Sequence, residues 1–123
     1  MLMQTEISTA VQYGIHAIWI VLNDGRYGMV EQGMRAQGFA PLDTDLPPTD
    51  FALMARALGA GACRVAQESE LHAALQAALS SGGPFVVDVA IDPRHPAPFE
   101  GRIQSLMDQG AINTHLPMTT EEP

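Results

Sequence analysis

Ala17-Ile18-Trp19-Ile20-Val21-Leu22 is an uninterrupted apolar run, and Asn23-Asp24-Gly25 follows it at once. A strand with one wet face alternates apolar and polar residues. A run without alternation is how a strand looks when both of its faces are covered, as in a parallel sheet sandwiched between helices. The run therefore predicts a central parallel strand. It is far short of the roughly 20 residues that cross a bilayer. The residues after it carry turn chemistry at the carboxyl end of the strand, where open α/β sheets hold their ligands.

The rest of the chain fits around that strand. Thr5 to Tyr13 places Ile7, Ala10 and Val11 on one helical face, with Gly14 as its stop. Beyond the turn a helix runs through Met29, Val30 and Met34, and Gly38 to Pro48 is a Gly-, Pro- and Asp-rich surface loop. Thr49 is placed to cap a helix from Asp50 to Leu58, whose Phe51, Met54, Ala55 and Leu58 share a face that Gly59 ends. Cys63 to Val65 is a short strand. Glu68 to Leu79 is the most regular helix, with Leu71, Ala74, Leu75 and Ala78 in register. Phe85 to Ile91 is a last strand, broken by Asp88 and ended by Asp92-Pro93. Helices and strands alternating across short links predict an α/β fold, three-layer α/β/α with a mostly parallel sheet. Residues 1–92 form that core. Residues 93–123 are an irregular segment in which Pro93, Pro96 and Pro98 precede a short helix from Arg102 to Asp108.

At 123 residues the chain holds one domain. Its formal charge of -8, with no cluster of basic residues, excludes nucleic acid as a partner. No secretion signal or spanning segment is visible, so the expectation is a cytoplasmic protein that does not engage the membrane. Only 16% of residues are charged, and a surface so poor in charge calls for a partner to cover part of it. The lone Cys63 excludes an internal disulfide framework and reads as a buried structural thiol. His16, His72, His95 and His115 contain no pair three or four residues apart, so a helical metal pair is absent. Nucleophile-elbow, P-loop and dinucleotide fingerprints are absent too, which weakens a stand-alone nucleotide-binding domain.

The chemistry left over lies in Asn23-Asp24-Gly25-Arg26-Tyr27-Gly28-Met29-Val30. A carboxylate and a carboxamide in a tight turn offer hard oxygen ligands, and backbone carbonyls can point the same way, a set suited to Mg²⁺ rather than zinc. The same residues also make an ordinary β-to-α turn, and spacing alone does not choose between the two.

Here the sequence resembles the C-terminal, diphosphate-binding domain of thiamine diphosphate enzymes of the acetolactate synthase and pyruvate decarboxylase group. Thr5-Glu6-Ile7-Ser8-Thr9-Ala10-Val11-Gln12-Tyr13-Gly14-Ile15 looks like the helix after the first half of that family's cofactor motif. Ile20-Val21-Leu22-Asn23-Asp24-Gly25 is similar to the strand and asparagine pair that close the motif, and Tyr27-Gly28-Met29-Val30 to the helix start beside the cofactor. The segments Asp50 to Ala60 and Gly83 to Val89 resemble the later helix and the final strand.

The resemblance implies thiamine diphosphate and Mg²⁺ as cofactors. Metal ligands would be Asp24, where the family has its second asparagine, and the backbone carbonyl of Arg26. Asn23 matches the first asparagine, and Tyr27, Gly28, Met29 and Val30 would lie near the diphosphate, Gly28 by permitting close approach and the helix start by offering free N–H groups. The implied reaction is decarboxylation of a small 2-oxo acid followed by protonation or carboligation, with the carbon chemistry supplied by the cofactor. Gly28-Met29-Val30 followed by Gln32 leans toward acetolactate synthase. The family's opening Gly-Asp-Gly would lie about four residues before Met1, so the chain reads as truncated at its N-terminus. It is expected to be a fragment, inactive alone, whose partners are the missing N-terminal domains of the same enzyme, in a homo-oligomer. The alternative is a non-catalytic interaction module that keeps the α/β fold and the subunit interface without the cofactor.

Overall fold

The structure, a computed structural model, describes residues 4–95. The helix predicted over 102–108, and His115, lie outside the described residues. The elements are α1 (Gln4–Tyr13), β1 (Ile18–Asn23), α2 (Gly28–Ala36), α3 (Phe51–Ala57), β2 (Gly61–Val65), α4 (Glu68–Ser80) and β3 (Phe85–Ala90). The three strands form one all-parallel sheet in the order β1-β3-β2. Ile18 pairs with Phe85 and Asn23 with Ala90 on one side of β3, while Gly61 pairs with Phe85 and Val65 with Val89 on the other. No described helix is long and apolar enough to cross a membrane.

Helices cover both faces, as the alternation of elements predicts. On one face Ile7 of α1 and Ala55 of α3 meet Ala60 and Val86, with Trp19, Val21 and Ala62 packed around them. On the other, Ala74 and Ala78 of α4 meet Val65 and Val87, flanked by Ile18, Cys63, Phe85 and Val89. Ile7, Val86 and Val87 are fully buried, and complete burial of such a side chain contributes about 1.5–3 kcal/mol.

Four expectations need correction. The apolar run does not form the central strand: β3 is central, and β1 lies at the edge of the described sheet. Nor are both faces of β1 covered: α4 reaches only Ile18, leaving Ile20 at 52% and Leu22 at 65% exposure on that same face. Second, Asp88 does not break β3, because its carboxylate is hydrogen bonded inside the core. Third, the cap of α3 is Asp50 rather than Thr49, its Oδ1 accepting from the Leu53 N–H at 2.7 Å. The strand expected over Cys63 to Val65 also begins earlier, at Gly61, where a Cβ would collide with the Phe85 ring. Cys63 is half-buried, and that burial pushes its thiol pKa up. Such a thiol is packing rather than a nucleophile.

α4 starts on a capping box: Glu70 accepts from the N–H groups of Ala66 (2.8 Å) and Gln67 (3.0 Å). Those bonds lower the Glu70 pKa, since they stabilise its ionised form.

Candidate functional site

β1 ends at Asn23 beside the end of β3, where the Ile91 N–H donates to the Asn23 carbonyl at 3.1 Å. The chain then turns through Gly25, whose φ of +67° suits a residue without a side chain, and enters α2 at Gly28. Two side chains shape the turn. Asn23 Oδ1 accepts from the Gly25 N–H at 3.2 Å, and Asp24 Oδ1 accepts from the Arg26 N–H at 3.3 Å. Both are local Asx contacts of the kind that favours Asn and Asp in turns.

Asp24 is half-buried, and its second carboxylate oxygen accepts no hydrogen bond among the described residues. That Oδ2 lies against Gly28, in space that a Cβ on residue 28 would fill. The Arg26 carbonyl has no donor among the described residues, while the carbonyl next to it, that of Gly25, is taken by the Leu46 N–H at 2.9 Å. At the start of α2 the cap residue Tyr27 makes no side-chain capping bond, and the N–H groups of Gly28, Met29 and Val30 have no partner among the described residues. Tyr27, Met29 and Val30 are exposed and form an apolar rim beside these groups.

These features fit a hydrated Mg²⁺ and a diphosphate. Two free oxygens, one of them anionic, meet the hard-ligand requirement of the ion, and free helix-terminal N–H groups suit an anion. The fit is that of part of a coordination shell, since no cluster of three His, Cys, Asp or Glu side chains forms among the described residues.

Other atoms of the turn are committed elsewhere. Asn23 Nδ2 donates to the Thr49 carbonyl and to Asp88 Oδ1, each at 3.1 Å. The Arg26 guanidinium turns away from its own carbonyl, donating to Glu31 Oε2 at 2.9 Å and lying 3.7 Å from Asp45. Glu31 also accepts from Arg35. The Arg35 and Arg26 guanidiniums hold the Glu31 carboxyl below the usual carboxylate range.

The segment from Gly38 to Pro48, expected as a plain surface loop, folds back onto the turn. Arg26 forms an antiparallel bridge with Asp45, and the Tyr27 N–H donates to the carbonyl of the buried Thr44 at 2.7 Å. Pairing across nearly twenty residues leaves no local signature, so Thr44 and Asp45 were not readable as part of the site. Asp88 stands out in the sequence only as a break in the last strand, and nothing local shows that it reaches Asn23. His16 lies away from the turn with Nε2 3.2 Å from the Ala78 carbonyl, and His72 is exposed on α4.

Comparison with known proteins identifies relatives of the chain. An acetolactate synthase large subunit assigned in Mycobacterium tuberculosis, IlvB2, is 47% identical over 93 residues, covering 72% of this chain and 16% of that protein. Benzoylformate decarboxylase of Pseudomonas aeruginosa is 33% identical over 94 residues, covering 75% of this chain and 18% of its own length. The crystal structure of benzoylformate decarboxylase from Polynucleobacter necessarius superposes with a TM-score of 0.71 at 30% identity, covering 78% of this chain and 18% of that one. The chain thus spans about one sixth of the length of the relatives it matches. Residues 1–89 match the family described as thiamine pyrophosphate enzyme, C-terminal TPP binding domain, and the chain belongs to that family.

Proposed function

We propose that this chain supplies the Mg²⁺ and diphosphate anchor of an acetolactate synthase-like enzyme that decarboxylates a small 2-oxo acid and joins the product to a second carbonyl compound. One observation carries the reading: Asp24 Oδ2, the Arg26 carbonyl and the N–H groups of Gly28, Met29 and Val30, which have no hydrogen-bond partner among the described residues, all lie within the seven-residue turn and helix start that follow β1. Asp24 and the Arg26 carbonyl hold the ion. The start of α2 faces the diphosphate, and Asn23 orients the turn through Gly25. Tyr27, Met29 and Val30 lie beside the diphosphate. When bound, thiamine diphosphate supplies the carbon chemistry by acting as the electron sink for the 2-oxo acid.

The 47% identity to the IlvB2 relative supports an acetolactate synthase-like parent enzyme. The share of its relatives that the chain spans supports a partnership with further domains of the same enzyme, packed on the open face of β1, in a cytoplasmic homo-oligomer. Thermal unfolding at millimolar thiamine diphosphate tests the anchor. A ligand that binds only the folded chain raises its Tm. The rise is expected with Mg²⁺ and thiamine diphosphate together and not with either alone. An equal rise in EDTA, or none under any condition, contradicts the proposal.

A further inference from the structure

Asp88 is fully buried in the middle of the central strand, on the face covered by α1 and α3. An isolated carboxylate there is costly, and a valine would pack as its neighbours do. What it does with its two oxygens is specific. Oδ2 accepts from the Phe51 N–H at the start of α3 at 3.2 Å, and Oδ1 accepts from Asn23 Nδ2 at 3.1 Å. No cation pairs with it among the described residues.

Asp88 Oδ1 and the Thr49 carbonyl both accept from Asn23 Nδ2, each at 3.1 Å, so together they fix the NH₂ side of the carboxamide toward themselves. The opposite end, Oδ1, is then fixed toward the Gly25 N–H at 3.2 Å. Gly25 lies between Asp24 and Arg26, whose Oδ2 and carbonyl oxygen accept no hydrogen bond among the described residues. A carboxamide able to flip would present NH₂ to the Gly25 N–H, donor against donor, and the turn would open.

We propose that Asp88 is a positioning residue for the cation turn, acting through Asn23 to hold Gly25 and thereby the aim of the Asp24 carboxylate and the Arg26 carbonyl. The proposal rests on the function proposed above. The competing role is local: Asp88 could serve only to cap α3 through Phe51.

Asp88→Asn perturbs both roles while keeping size and burial, and comparison with a variant that affects the α3 cap alone separates them. Its carboxamide has one acceptor for two donors, so one of the bonds to Asn23 and Phe51 is lost. Asp50→Ala is the control, because it removes the other cap of α3, the 2.7 Å bond to the Leu53 N–H, without touching Asn23. Two readouts on the 123-residue chain are compared by NMR: amide hydrogen exchange at Gly25 and Arg26, and chemical-shift titration with Mg²⁺ and thiamine diphosphate. Asp88→Asn is expected to speed exchange at Gly25 and to weaken Mg²⁺-dependent binding by about 10- to 100-fold, the usual effect of removing a group that orients a metal ligand. Asp50→Ala, at an equal or larger loss of Tm, should leave both near wild type. If both single variants speed Gly25 exchange in proportion to their loss of Tm, or neither changes it, Asp88 is structural only and the proposal falls. If the wild type shows no binding but Asp88→Asn still selectively speeds Gly25 exchange, the positioning of the turn stands and the proposed function fails.

Discussion

The carboxylate of Asp24 occupies the space in which a side chain on residue 28 would sit. Gly28 is the first residue of α2 and its φ is not in the left-handed region, so its lack of a side chain answers to this close approach rather than to backbone geometry. Gly28→Ala should therefore fold, since alanine suits a helix better than glycine by about 0.5–1 kcal/mol and the obstructing atom is the end of a short side chain that can swing. The swing moves Asp24 Oδ2 off its position. The expected result is a Tm within a few degrees of wild type together with loss of the Mg²⁺-dependent ligand stabilisation. Unchanged stabilisation by ligand would show that the Asp24–Gly28 contact is incidental.

Glu31 joins the turn to α2 through Arg26 and to the outer face of α2 through Arg35. Its pKa lies below the ordinary 4.5, so its pairs contribute stability above that value and lose it as pH falls through the depressed folded pKa. The Tm difference between wild type and Glu31→Gln should be present at neutral pH and shrink below about pH 4.5. High salt should also reduce it, because the Arg35 end of the network is exposed. A difference constant from pH 7 to 3 would remove the ion pairs from the account.

Ile7 ties α1 to the sheet, and it is fully buried against Ala55, Ala60 and Val86. Ile7→Ala leaves a cavity that small neighbours such as Ala55 and Ala60 cannot fill, and should cost about 2–5 kcal/mol. Urea unfolding should show this as a lower midpoint at unchanged slope. A loss well under about 1 kcal/mol would place α1 outside the cooperative core.

Much of the fold could be read because the helices declare their inner faces. Ala55 on α3, and Ala74 and Ala78 on α4, are buried as their spacing requires. The apolar run of β1 misled for a physical reason: it reports that a strand's two faces are to be covered, not that this chain covers both. The turn itself was legible in Asn23-Asp24-Gly25, as strand-end chemistry is local. Its support was not, because Asp88, Thr44 and Asp45 reach it across the sheet or along a returning loop.

The half-exposed Ile20 and Leu22 bear on assembly. They lie on one face of an edge strand, and such a surface favours association. Sedimentation velocity should show concentration-dependent self-association that Leu22→Lys diminishes. A clean 13.2 kDa monomer at high wild-type concentration would contradict this.

The central claim is that Asp24 and the start of α2 hold a metal-bound diphosphate, and residue-resolved NMR titration of the 123-residue chain tests it most directly, since it detects even weak binding. Thiamine diphosphate with Mg²⁺ should shift the amides of Gly25 through Val30, with little change elsewhere and none in EDTA. Asp24→Ala should abolish these shifts at moderate Mg²⁺ and recover part of them in excess, while Asp24→Asn, which keeps an oxygen donor of the same shape, should retain them. Shifts that persist in EDTA, or that survive Asp24→Ala unchanged, would contradict the account and leave Asp24 as a turn residue only.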